Sequence, residues 1–167
     1  MSNVKNYTNQ EILDRVKEVH RYTMIPRGYW MCFIHSEEDE YNVFDDKCYL
    51  WKGTEFIGVT SCTTNSGAYG LKNFKKWNTE GVAVLKSDMW YHGAWRRDKH
   101  KGKMEAWRQT SAKVAVHRDG DMDRKSEELG KESWGYFGIN IHTVSYGLAD
   151  IIKRYIGGWS VGCLVLN

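Results

Sequence analysis

Two side chains near the C-terminus have the types and surroundings for covalent catalysis. His142 closes the apolar run Gly138-Ile-Asn-Ile-His142, where a strand end can hold an imidazole rigidly. Eighteen residues further on, Ser160-Val-Gly-Cys163 sets a thiol directly after a glycine. A thiolate is a strong nucleophile once an imidazole lowers its pKa. Gly162 allows a substrate to approach the backbone closely. N–H groups around Gly162 and Cys163 are then expected to face a developing oxyanion. Distance along the chain is no obstacle, because adjacent strands can bring the two ends together. An arbitrary His and Cys would more often be a satisfied ring and a buried thiol. The Ser-x-Gly-Cys context lifts this pair above that background.

The elements that must position the pair read as follows. Thr8 followed by Glu11 is a capping box, and Ile12, Leu13, Val16 and Val19 recur at helical spacing, so an amphipathic helix is expected over 9–22. Pro26 and Gly28 end it. Short β-branched or aromatic runs then predict strands over Tyr29–His35, Lys47–Trp51, Glu55–Cys62, Gly81–Leu85, Lys113–His117 and Tyr136–His142. Leu148, Ile151, Ile152 and Tyr155 predict a short helix over 148–156, and Trp159–Leu166 returns to strand. No repeat or low-complexity linker interrupts this order.

Composition narrows the function classes. The 167 residues suit one domain with a sizeable core. Eight Trp and ten Tyr suit a β-rich core, or a groove for sugars or peptides; core packing is the main reading. A net charge of +3 is too small for a nucleic-acid binder. Lys and Arg cluster once, in Arg96-Arg97-Asp98-Lys99-His100-Lys101, which reads as a solvated face able at most to favour an anionic polymer such as a cell wall. Cys32, Cys48 and Cys62 sit among apolar or β-forming residues and read as buried thiols, and zinc-finger spacing is absent. The N-terminus lacks the apolar core of a secretion signal and no apolar run spans a bilayer, so a cytoplasmic chain with reduced thiols is expected unless another system releases it.

The C-terminal pattern resembles the catalytic motif of the L,D-transpeptidase, or YkuD-like, family: a His, then Ser/Thr-His-Gly-Cys with an apolar residue next. The resemblance implies that Cys163 attacks a peptidoglycan stem peptide, forms a thioester and passes the acyl group to an amine or to water. It makes His142 the base and sets Ser160 and Gly162 at the flanking motif positions, completing the catalytic candidates. Upstream, Val59-Thr-Ser-Cys-Thr-Thr-Asn-Ser-Gly67 is similar to the family's Ser/Thr-Thr-Gly strand end and Thr-Pro-Thr-Gly turn, with Asn65-Ser66 in place of Pro-Thr. The likeness covers roughly residues 45 to 167. Val161 stands where the motif has its second His, and Val165 where Arg or Asn is usual, with Asn167 displaced to the chain end. Gly-Ile-Asn-Ile-His with Trp-Ser-x-Gly-Cys looks more like a divergent branch met among bacteriophage and Bacteroidetes proteins, which also carries segments like His100-Lys101-Gly102 and Arg118-Asp119.

The fold class implied is mainly β with some α: a single β-sandwich or barrel-like domain of L,D-transpeptidase type. Residues 1–28 would form an N-terminal helix packed on a catalytic domain over 29–167. Candidate substrate contacts are Trp159, beside the motif, with His100, Gln109 and Arg118, which line or support the site. No cofactor or metal is expected. The expected function is a cysteine-dependent peptidoglycan enzyme, transpeptidase or hydrolase, in a phage lysis or virion setting. The alternative is a non-catalytic wall-binding or virion structural module on the same fold.

Two weaker patterns complete the reading. Asp119-Gly-Asp121-Met-Asp123 presents carboxylates at alternate positions as a calcium loop would. Arg124 replaces the expected Gly and Gly130 the expected Glu, which favours a surface turn. Ser145 to Asp150 faintly resembles a zinc D,D-peptidase pattern but lacks its His, and reads as a loop at a helix start.

Overall fold

The expected capping box is present in the computed structural model, which describes residues 4–19, 24–37, 40–121, 123, 130–146 and 152–167. The Thr8 N–H donates to Glu11 Oε2 at 2.7 Å, and the Glu11 N–H donates to Thr8 Oγ1 at 3.2 Å. This cap starts α1 (Asn9–Val19), which buries Ile12 and Leu13. They pack on Trp30, Tyr49 and Trp51, and the Trp30 and Trp51 rings stack 5.3 Å apart. Residues 20–22 of the expected helix lie outside the described residues.

The chain continues through β1 (Tyr29–Ile34), β2 (Asp46–Lys52), β3 (Glu55–Thr63), α2 (Ala68–Asn73), a 3-10 turn (Phe74–Lys76) and β4 (Val82–Leu85). Then come β5 (Trp95–His100), β6 (Met104–Gln109), β7 (Val114–Asp119), β8 (Ser133–Gly135), β9 (Ile141–Thr143) and β10 (Leu164–Leu166). The architecture is mainly β with short helices. A seven-stranded sheet runs β1-β2-β3-β10-β9-β6-β5, and a three-stranded sheet runs β4-β7-β8. Ala83, Val114 and Val116 from the small sheet meet Ile141 and Leu164 from the large one in a common core. Burial of such side chains is the main driving force for joining the layers. No helix among the described residues is long and apolar enough to cross a membrane.

Several elements depart from the sequence expectation. The charged run 96–101 is mostly strand: β5 pairs with β6 along the sheet edge. Its charges lie on exposed edge backbone, where they discourage further pairing, and Arg108 holds Asp98 at 2.7 Å across the hairpin. Of the expected strand over 136–142, residues 136–140 form a connector between β8 in one sheet and β9 in the other, and only 141 and 142 are strand. Residues 152–156 are not helical; Tyr155 bridges Val43, and Asn42 accepts the Gly157 N–H on its Oδ1 at 2.6 Å. Residues 147–151 of that expected helix lie outside the described residues. Only Leu164–Leu166 of the expected strand 159–166 is strand.

Gln109 explains how the connector between the sheets is held. Its Oε1 accepts the N–H groups of Phe137, Gly138 and Ile139 at 3.0, 3.0 and 3.3 Å. Its Nε2 donates to the carbonyls of Gly135 and Ala112 at 2.8 and 3.3 Å. One buried amide thus replaces ladder partners that the connector lacks. Gln109→Leu leaves those backbone groups unpaired. It is expected to lower the unfolding free energy by about 2–4 kcal/mol in urea titrations, and an unchanged midpoint would contradict this role.

Candidate functional site

The pair is positioned by one strand contact. β10 runs parallel to β9, with Leu164 opposite Ile141 and Val165 opposite His142. The Leu164 N–H donates to the Asn140 carbonyl at 2.9 Å, so the pairing extends to the residues just before each strand. Side chains alternate between faces. Cys163, Val165, Asn140 and His142 therefore share one face, and Ile141 and Leu164 point into the core on the other. From standard strand spacings, Cys163 and His142 lie diagonally, about 8 Å between Cα atoms.

His142 is 3% exposed. Its Nδ1 lies 2.8 Å from the Thr143 carbonyl, which can only accept, so Nδ1 carries the proton. Nε2 is then an unprotonated lone pair, buried and without a hydrogen-bond partner among the described residues. Burial lowers the His142 pKa, the Thr143 bond raises it, and the Lys101 charge lowers it again; the net shift is down. Near neutral pH the ring is an uncharged base with an unoccupied acceptor.

Cys163 is partly exposed and packs beside Phe44, Val144, Ile156 and Val165. Its Sγ makes no hydrogen bond to the ring; it sits 3.8 Å from the Gly138 carbonyl. Crowding pushes the thiol pKa up, against smaller lowering by the Asn140 backbone N–H and by Lys101. The resting pair is therefore a neutral thiol and a neutral imidazole.

The turn before the sulfur is built by Ser160 and Gly162. Ser160 is fully buried; its Oγ donates to the Cys163 carbonyl at 2.8 Å and accepts the Gly162 N–H at 3.2 Å. Ser160 thus shapes the turn and is no partner for His142. The same contact occupies the Gly162 N–H expected to face an oxyanion. Gly162 has φ +113°, and a Cβ there would meet the Ala83 carbonyl at 3.0 Å, so glycine is required. The segment ending in Gly67 supports this turn: the Gly67 N–H donates to the Ser160 carbonyl at 3.1 Å.

Of the expected substrate contacts, His100 is at the site. Its ring stacks on His142 with centroids 4.8 Å apart, and its Nδ1 lies 2.9 Å from Asn140 Nδ2. Gln109 is buried with its amide fully engaged by backbone, so it supports the connector and does not line a groove. Arg118 lies over the Phe137 ring at 5.1 Å and reaches the Gly81 carbonyl at 3.4 Å. Trp159 packs beside the same cluster as Cys163 and against Tyr146, 5.4 Å between rings. Sequence reasoning missed Asn140 and Lys101. Asn140 had a signal: a polar residue two before His142 inside an apolar run shares its face.

A cavity of about 1600 Å³ lies elsewhere, between α1, β1 and residues 84–95; Ile141 and Leu164 line it, whereas His142 and Cys163 do not. Among the described residues no group of three His, Cys, Asp or Glu could hold a metal. Asp119 is buried, and Asp121 Oδ1 accepts the Asp123 N–H at 3.1 Å in a local turn. Residues 122 and 124–129 of the calcium-like pattern, and 147–150 of the D,D-peptidase-like one, lie outside the described residues.

No family model, curated protein or solved structure matches the chain.

The thiol environments generate an ordered prediction. Burial pushes Cys32 up to about 11, Cys48 up to about 12, and Cys62 well above its ordinary value. Cys163 is also raised but partly exposed. Iodoacetamide is therefore expected to alkylate Cys163 ahead of Cys48 and Cys62. Because a raised pKa leaves little thiolate near neutrality, the Cys163 rate should still be climbing above pH 8.5, the ordinary thiol range. Peptide mapping that showed Cys163 reacting at a constant rate from pH 6 to 8 would instead indicate a preformed thiolate.

Proposed function

We propose that this chain is a cysteine-dependent acyl-transfer enzyme of peptidoglycan, with Cys163 as nucleophile and His142 as general base. The observation that carries the reading is the buried, unoccupied Nε2 lone pair of His142 on the sheet face it shares with Cys163. Buried acceptors are seldom left unpaired, and a proton arriving from a thiol would satisfy this one. The proposed transfer requires the Cys163 side chain to leave the Gly138 carbonyl and turn Sγ toward that lone pair.

The chemistry then balances with two side chains. Sγ forms a bond to an acyl carbonyl carbon as its proton passes to Nε2. Collapse of the tetrahedral intermediate breaks the C–N bond, and the departing amine takes the proton from His142. The resulting thioester is attacked by water, which gives hydrolysis, or by an amine, which gives a new peptide bond; either route regenerates the thiol. The stem peptide as substrate rests on the resemblance of His142 and Ser160-Val-Gly-Cys163 to the L,D-transpeptidase motif. A phage lysis or virion setting rests on the likeness to that family's divergent branch.

A second reading has its own support. Sγ rests on Gly138 and its pKa is raised, as a merely packed thiol would be. A non-catalytic wall-binding or virion module on this fold accommodates both observations. Purified sacculi distinguish the two. The wild type is expected to change the muropeptide profile, by cleavage or by new cross-links, and Cys163→Ala to leave it untouched while staying folded. Identical turnover in the two proteins, or sacculus binding with no turnover in either, would defeat the enzymatic reading.

A further inference from the structure

The hydrogen bonds around Asn140 fix the tautomer of the second histidine. The Gln109 backbone N–H can only donate, so the Asn140 atom 3.1 Å from it is the amide oxygen. The Asn140 amide nitrogen therefore faces His100 Nδ1, 2.9 Å away, and donates to it. An accepting Nδ1 leaves the proton of the neutral ring on Nε2. His142 is the opposite tautomer, with its proton on Nδ1 and a lone pair at Nε2. The stacked rings, 18° from parallel, thus carry opposite tautomers, one with an Nε2–H donor and the other with an Nε2 base.

The charge state keeps this arrangement. Burial, then the neighbouring His142, Lys101 and Arg108, push the His100 pKa down to about 4. His100 stays neutral when His142 takes up a proton, and its Nε2–H remains a donor that does not compete as a base. A donor is also wanted at this place. The Gly162 N–H is taken by Ser160 Oγ, so the turn itself withholds one backbone donor that a thiol nucleophile would use. His100 ends β5 at the hairpin tip and is only partly buried.

We propose that His100, through its Nε2–H, is a catalytic residue that hydrogen-bonds the oxyanion formed when Cys163 attacks an acyl carbonyl. The inference rests on the acyl-transfer reading above. As the S–C bond forms, the carbonyl π pair moves onto oxygen and His100 donates a hydrogen bond to it without transferring its proton. When the pair returns and the leaving group departs, that bond weakens. The ligand class is an acyl carbonyl, and the interaction strengthens only as the oxygen becomes negative.

The test uses the full chain and p-nitrophenyl acetate, with intact-mass and peptide mapping to follow acetylation of Cys163. Acetylation develops an oxyanion, whereas alkylation of the same thiol by iodoacetamide does not. His100→Phe keeps a ring stacked on His142 and removes the donor. His100→Gln removes the ring and keeps an N–H. The expected result is a roughly 100-fold slower acetylation in His100→Phe with alkylation at the wild-type rate, and a smaller loss of acetylation in His100→Gln. Acetylation of His100→Phe at the wild-type rate overturns the proposal and leaves Cys163 and His142 standing. Loss of acetylation and alkylation together, or equal loss in the two variants, assigns His100 to packing and also overturns it. A wild type that is not acetylated on Cys163 defeats the acyl-transfer reading itself, and this inference with it.

Discussion

The parallel pairing of β9 with β10 is the constraint on which the rest of the site depends. Every other strand contact in the two sheets is antiparallel among the described residues. A parallel pair needs a long crossover, and residues 144–163 supply it between the two strands. Parallel direction brings the entering ends of both strands to the same edge of the sheet, so Asn140 and Cys163 arrive together. Slipping the register by one residue would turn Cys163 into the core and Leu164 out of it. Burial of Leu164 and Ile141 against the small sheet opposes that slip, which ties the chemistry to the hydrophobic core.

A chain of polar contacts carries the same constraint sideways. Gln109 holds the connector at 137–139, and its own N–H fixes the amide of Asn140. Asn140 in turn orients His100, which stacks on His142. Each link is a buried or partly buried group with a defined partner until His142 Nε2, where the chain ends in an open acceptor. Burial acts on both ends of the pair in ways that keep them uncharged: it lowers the imidazole and raises the thiol. On the proposed mechanism, the proton rests on sulfur and passes to nitrogen during attack.

Much of this was legible in residue types and spacing. The capping box, α1, the first four strands and the closeness in space implied for the His142 and Cys163 segments follow from period and context. β5 was not legible, because an edge strand keeps its charges in solvent and loses the alternation that marks a half-buried strand; β6, which does alternate, was missed beside it. The helix expected over 148–156 fails in its described part, because Asn42 takes the Gly157 N–H and Tyr155 bridges Val43, a tertiary contact that spacing does not encode. At the site, Ser160 was expected among the catalytic residues at a flanking motif position, and it bonds its own turn. His100 was expected as a substrate contact, and the fold of the β5–β6 hairpin stacks its ring on His142, a contact that spacing does not encode.

The central claim is that Cys163 forms an acyl-enzyme with His142 as its base. Its most direct test is peptide-mapping mass spectrometry of protein mixed with purified sacculi and quenched in acid within seconds, a condition that preserves thioesters. A stem-peptide adduct on the peptide containing Cys163, present in the wild type and absent in His142→Ala, is the result expected. An adduct on another cysteine, an equal adduct in His142→Ala, or no adduct at any quench time would contradict the claim.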